Sequence, residues 1–397
     1  MTQSNHNLTR WVQISLFFLV QVAFLTAATL QTYATNGLPQ STKFGFGARI
    51  DPWGAQVEFA LEAAADNDLD WIAVDFDWNR HWPERKVPLD LASLDPIMGY
   101  ASENDLAVLL SITNPPDWVM SPSGPDPVST SKLVTKFTRL YPNALRAVEL
   151  FPAANTLEGW GASPNPKDYI VLLREVSKVL ESTDENPVIV AGGLVPVSSH
   201  NPSRDIDDLA FLQRLYDEGA GQHMQIVSVR FPTLTGDPLT APWEGEGRVL
   251  RRYELIRDVM LENGHSSGLI WVTGFSWPAP SLIHGEKVNL AQGSSGAVLE
   301  SNQSHWLSHA QHIMKSQLYI GAAFYDCLNP PGVTPGQSDF GCLLQIDNGK
   351  TAIHPALHTL GYLNTLENTH RTQASNSQQD KPTELFDPRS LLRMISP

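Results

Sequence analysis

The chain has 397 residues, 42% of them hydrophobic, enough for a large core; at about 150 residues per domain it could form two or three domains, or one α/β barrel. Lys+Arg 27 against Asp+Glu 42 leave a net charge of −15, which argues against a nucleic-acid or anionic-membrane binder, since either needs a basic footprint. Two cysteines are too few for a disulfide-built scaffold or a Cys-rich zinc site, and an ordinary apolar fraction without a short period excludes collagen, coiled coil and wholesale disorder.

Residues 12–30 are nearly continuously apolar, with Arg10 and the amino terminus as the only positive charges before them. Thr32-Tyr33-Ala34 then offers the small residues that signal peptidase prefers. The expectation for 1–34 is a secretory signal peptide cleaved near Ala34. The rival is an uncleaved membrane anchor, because such a run rises about 28 Å as a helix, enough to span a bilayer core. In both cases the rest of the chain is secreted or otherwise extracytoplasmic, and only this segment would touch a membrane. Residues 35–43 read as a linker.

From 44 to 366, β-type runs recur at 44–50, 71–77, 107–112, 146–151, 187–193, 225–231, 268–274 and 319–326. Amphipathic segments such as 56–67, 169–182, 209–218, 249–263 and 305–317 lie between them. Strands alternating with helices imply βαβ units and a parallel sheet. Eight units predict an α/β fold, a single-domain (β/α)8 TIM barrel over 44–366. No glycine-rich dinucleotide fingerprint, P-loop, His-Glu-x-x-His or Gly-x-Ser-x-Gly motif occurs, and no His/Asp/Glu spacing specifies a metal, so no cofactor and no metal are expected. In an oxidising compartment Cys327 and Cys342 are a candidate disulfide clipping a Pro- and Gly-rich loop, the alternative being two separate buried thiols. Residues 367–397 turn polar without a hydrophobic period and read as a loose tail.

In such a barrel, function sits on the loops after each strand. Those positions hold Trp53 after strand one, Trp78 after strand two, Trp118 after strand three, Asn155 after strand four, Arg230 at the end of strand six, Trp277 after strand seven and Asp326 ending strand eight. Indole faces cover the apolar faces of sugar rings while polar neighbours meet the hydroxyls, so a tryptophan-lined cleft for carbohydrate is one reading. Core filling is the other, and is the reading taken for Trp71 and Trp271 inside strand runs.

These residues resemble the clan-A glycoside hydrolases, the cellulase- and xylosidase-like barrels. Strand two of that family commonly reads W-V-R-V-D-F-x-W, and the run Trp71 to Trp78 is similar. Pro115-Pro116-Asp117-Trp118, Trp160-Gly161 and Tyr169, the run Trp271 to Trp277, and Phe340-Gly341 with His354-Pro355 match further segments in order. The resemblance implies a retaining mechanism with two carboxyl groups about 5–5.5 Å apart. The acid/base glutamate of the family falls on Ala153 and its nucleophile on Gly274, while its strand-two arginine falls on Ala73 and a strand-six histidine on Arg230. Positions 150–157 and 271–279 contain no Asp or Glu, so a one-residue slip of the match restores neither.

Other carboxylates remain. Glu149 shares strand four but lies deeper, where a buried polar pair, with Arg230 for example, is expected. Asp75 and Asp77 share a face of strand two, and a closed barrel brings Asp326 close to strand one. They could form an acidic cluster, a site for a cation or for ligand hydroxyls, or an unorthodox acid/base pair, or they cap loops and pair with Arg49, Arg80 or Arg230. Three readings follow. The first is an exported, catalytically degenerate glycosidase-like barrel, a pseudoenzyme binding carbohydrate or a cell-surface partner. The second is an active O-glycosyl hydrolase using Asp75, Asp77, Glu149 or Asp326. The third is an extracellular assembly protein whose barrel only supplies surface.

Overall fold

The computed structural model describes residues 44–180, 187–197, 201, 203–231, 233–277, 300–330, 341–347 and 350–362. The expected signal or anchor segment, the linker 35–43 and the tail 367–397 lie outside the described residues. No helix among the described residues is long and apolar enough to cross a membrane.

Eight parallel strands close into a barrel: β1 Gly45–Ile50, β2 Trp71–Asp77, β3 Ala107–Thr113, β4 Leu145–Leu150, β5 Val188–Leu194, β6 Ile226–Phe231, β7 Leu269–Phe275 and β8 Ile320–Tyr325. Each pairs with its neighbour in sequence, and β8 returns to β1 through Gly45↔Ala322 and Ala48↔Tyr325. The helices α1 Val57–Asp66, α2 Asp95–Glu103, α3 Pro127–Leu140, α4 Pro166–Leu180, α5 Asp208–Asp217, α6 Arg252–Glu262 and α7 Glu300–Ser316 fill the crossovers, and 355–362 is helical after the last strand. The expected α/β barrel is therefore the fold.

Local chemistry starts the helices where they start. Asp126 accepts a hydrogen bond from Ser129 N at 2.8 Å and Pro127 opens α3, so one orphan amide is capped and another is absent. Asp207 accepts from the amides of Leu209 and Ala210, both at 3.1 Å, at the head of α5.

Side chains on alternate strand positions point into the barrel and form layers. At its base, Trp71 and Trp271 meet edge to face at 5.1 Å, beside Leu109, Ala147, Val190 and Phe324. Gly45 and Gly321 leave room for these rings, because a Cβ at either would stand 2.5 Å from an indole nitrogen. The core-filling role read for both tryptophans holds. Above them lies a polar layer in which Glu149, fully buried, accepts from Ser111 Oγ at 2.7 Å and Thr273 Oγ1 at 2.6 Å. Those two hydroxyls, rather than the expected Arg230, satisfy the carboxylate. The top layer, at the strand C-termini, is charged.

Candidate functional site: a charged mouth and its two-lobed cleft

Arg49 on β1, Asp75 on β2, Arg230 on β6 and Asp326 just after β8 converge over the polar layer. Arg49 donates Nε to Asp326 at 3.1 Å, one terminal nitrogen to Asp75, and the other to the Thr273 carbonyl at 2.5 Å. Arg230 donates to Asp75 at 3.3 Å and to Asp326 at 3.1 Å. Two cations and two anions thus close a cross-braced quartet whose charges cancel. Burial works to raise the Asp75 carboxyl, but Arg49 and Arg230 together outweigh it and hold Asp75 below the ordinary carboxylate value. Burial likewise opposes the Arg230 charge, and Asp75 and Asp326 overcome it, pushing that group up. An acid held ionised in this way is a poor proton donor.

Position 274 lies beside this quartet. Arg230 and Gly274 are register partners across β6 and β7. A Cβ built on Gly274 would come within 2.6 Å of Asp326 Oδ1, 2.8 Å of Arg230 Cγ and 2.9 Å of Arg230 Nε. The space where a side chain from β7 would project is occupied by the quartet. Ala153 lies beyond the end of β4, where both Phe151 (φ 52°) and Ala153 (φ 60°) adopt left-handed backbone, and its amide donates to the Gly193 carbonyl at 2.8 Å.

Two cavities open above these residues. The first, about 610 Å³, is lined by Arg49, Asp51, Asp75, Asp77, Arg80, Arg230 and Asp326, with Trp53 and Asn329 at its wall. The second, about 560 Å³, is lined by Asn114, Ala153, Glu158, Arg204 and Asp205 among others. Thr113 and Arg230 line both, so they are adjoining lobes of one cleft. In the first lobe Asp77 accepts from Arg80 N at 2.9 Å and Asn114 Nδ2 at 2.8 Å, capping the helical turn Trp78–His81. Trp53 is half-buried, with the Arg80 guanidinium 3.9 Å from its ring centre and His81 at 4.6 Å. Burial pulls His81 down, and Asp90, Asp77 and its backbone bond counter only in part.

Of the residues expected at a ligand, Trp53, Asp75, Asp77, Arg230 and Asp326 do share one lobe. The loop-capping and arginine-pairing reading accounts for all three aspartates. Trp78, Trp277 and Asn155, expected at a ligand, are instead buried and line neither lobe. Trp78 opens a helical turn that rotates its ring into the core against Trp118, and it is fully buried. Trp277 is fully buried between Phe275 and Trp306 and donates to the Gly236 carbonyl at 2.9 Å. Asn155, also fully buried, donates to the carbonyls of Val195 and Ile206 at 2.9 and 2.8 Å, tying two loops together. Trp118 is half-buried, lines neither lobe, and donates to the Trp82 carbonyl at 3.0 Å. The cleft wall therefore carries one tryptophan of the four expected there.

Sequence reasoning missed Asn114, Glu158, Arg204 and Asp205. Glu158 sits one residue past the acid-free window 150–157, in the first turn of the helix Leu157–Trp160, where an acid is favourable. Asp205 had no local signal, because a bridge between Thr156 and Asp205 brings it in from another loop. Among the described residues no three His, Cys, Asp or Glu side chains converge as a metal site.

No protein-family model matches the chain, and no curated protein matches it. Solved structures do. A family 39 glycoside hydrolase from the gut symbiont Bacteroides cellulosilyticus superposes with TM-score 0.57 at 14% identity, covering 83% of this chain and 64% of its own. A family 5 glycoside hydrolase variant from Bifidobacterium longum, in complex with Manβ1-4GlcNAc, gives 0.55 at 12%, covering 82% and 78%. A xylanase from Thermotoga petrophila in complex with xylobiose gives 0.51 at 11%, covering 82% and 94%. The chain shares the (β/α)8 barrel fold of these enzymes. The chain spans less than two thirds of the Bacteroides enzyme. The glycosidase-type barrel thus agrees with the strand motifs, and at these identities the likeness carries architecture alone.

Proposed function

We propose that this glycosidase-type barrel acts outside the cytoplasm as a carbohydrate-binding protein that has given up hydrolysis. The observation that carries the reading is at position 274. The nucleophile position implied by the strand-seven resemblance holds no carboxylate, and the Arg230 and Asp326 side chains fill the volume one would need. The acid/base position holds Ala153. Meanwhile the cleft stays open, with hydrogen-bonding groups from Asn114, Arg80, Glu158 and Arg204 and one indole, Trp53, as a mix suited to sugar hydroxyls and ring faces. The disulfide between Cys327 and Cys342 supports an oxidising compartment, in keeping with an exported chain.

A second reading, hydrolysis by displaced carboxylates, is favoured only by Glu158 and Asp205. They line the second lobe, where no arginine quartet claims them, although Arg204 stands 3.9 Å from Asp205. One experiment separates the two. Purified protein is screened on a glycan array and, in parallel, incubated with the glycans it retains. Retention without product, weakened by Trp53→Ala and Arg80→Ala, is the expected result. Product release that disappears in Glu158→Gln would establish the hydrolase instead, and no retention of any glycan would overturn carbohydrate binding.

A further inference from the structure

Helix α7 carries a feature that the barrel mouth does not use. Its buried stripe runs through Gln303, Leu307, Ala310, Gln311 and Met314, at the spacing of a helix packed against a barrel. Gln303 fixes its rotation by donating to the Tyr325 hydroxyl at 2.9 Å. That packing turns His305 and His312 to solvent and leaves His309 half-buried at the margin. Three of the chain's 12 histidines thus fall within eight residues on the outer side of one helix.

His305 and His309 are separated by four positions, so their side chains stand one above the other on the same face. Their rings are already neighbours, with centroids 6.0 Å apart and planes tilted by 40°. No Asp, Glu, Lys or Arg occurs between 302 and 314, so no ammonium or guanidinium on this stretch repels a cation and no carboxylate displaces the imidazoles. The chain's net charge of −15 raises the local concentration of cations around it.

We infer that His305 and His309 form a two-imidazole chelate for a borderline divalent transition ion, with copper(II) preferred over nickel(II) and zinc(II). A pair of neutral imidazoles one helical turn apart can each reach one ion at about 2.0–2.1 Å after small side-chain rotations. Imidazole suits copper, nickel and zinc, and their order follows the general affinity series for nitrogen sites. Hard cations such as calcium prefer oxygen cages, which two imidazoles do not supply. Among the described residues no third His, Cys, Asp or Glu converges on the pair. The site lies on the outer helix layer and is independent of whatever the cleft binds.

The test is calorimetric titration of tag-free full-length protein with copper, nickel, zinc and calcium chlorides in a non-coordinating buffer. The expected result is uptake of one copper ion per chain, weaker nickel and zinc binding, and no calcium binding. His305→Asn and His309→Asn should each weaken copper binding by roughly tenfold or more, because each removes half of the protein ligands. His358→Asn, at an exposed histidine elsewhere, should leave it unchanged. Both helix substitutions are at a solvent-facing edge, and circular dichroism checks that each variant folds. Copper binding that is absent, or that survives His305→Asn and His309→Asn at full strength, overturns the assignment.

Discussion

At the scale of single residues, the mouth of this barrel is organised by mutual neutralisation. Arg49 and Arg230 each bridge Asp75 and Asp326, so removing any one member strands a partly buried charge, whereas the intact set is self-contained. This is why placing a carboxylate on β7 is more than filling a gap. Gly274→Glu must push Asp326 and Arg230 out of contact, overpacking a site whose atoms would stand 2.6–2.9 Å from the new Cβ. The expected cost is about 1–3 kcal/mol of stability. Ala153→Glu combined with Gly274→Glu should still give no hydrolysis of aryl glycosides. Thermal unfolding and a chromogenic assay on the single and double variants check both statements, and hydrolysis gained by the double variant would show that the quartet yields easily.

At the scale of elements, most strands were legible because parallel strands covered on both faces read as short apolar runs, and β2, β3 and β6 begin or end within a residue of where that pattern put them. The two-residue period also put Asp75 and Asp77 on one face, as found. Side-chain direction just past a strand was not legible. Trp78 follows β2 directly, yet the turn Trp78–His81 points it inward, and nothing in the pattern distinguishes that from a mouth position. The second lobe was invisible for a different reason: its polar groups come from loops nearly fifty residues apart, joined by one bridge between Thr156 and Asp205. His354, between the antiparallel strands Leu344–Asp347 and Lys350–Ile353 and the closing helical segment, is fully buried and accepts the Ala356 amide on Nδ1 at 3.2 Å. Burial pulls its pKa down to about 4 from 6.5. The unfolded chain therefore takes up a proton that the folded one refuses, so the associated stability is complete above about pH 6.5 and is lost as pH falls toward 4. Over that window the loss should approach about 3 kcal/mol. Urea unfolding of wild type and His354→Gln between pH 7 and pH 4 tests it, the variant being expected to lose less stability on acidification.

At the scale of the whole molecule, the end of the barrel sequence is fastened to its beginning. Leu328 N donates to the Arg49 carbonyl at 2.7 Å, and Asn329 Oδ1 accepts the Asp51 amide at 2.9 Å, so the segment after β8 is stitched to the end of β1 and to the residue after it, beside the first lobe. The disulfide between Cys327 and Cys342 then ties this seam to the approach to the strand Leu344–Asp347, where the Leu343 and Leu344 amides donate to the carbonyls of Cys327 and Leu328. The bridge expected from the sequence is present. In the chain-entropy picture a loop of 15 residues gains about 3 kcal/mol from such a link by restricting the unfolded chain. Adding reductant should therefore lower the unfolding temperature of the wild type by several degrees, and the double variant Cys327→Ser, Cys342→Ser should unfold at that lower temperature whether or not reductant is present. Because Cys327 and Asn329 line the first lobe, the same variant should also weaken the glycan retention proposed for the cleft. A wild type indifferent to reductant would mean that the backbone stitches alone hold the seam, and that the bridge is not needed to keep the lobe in shape.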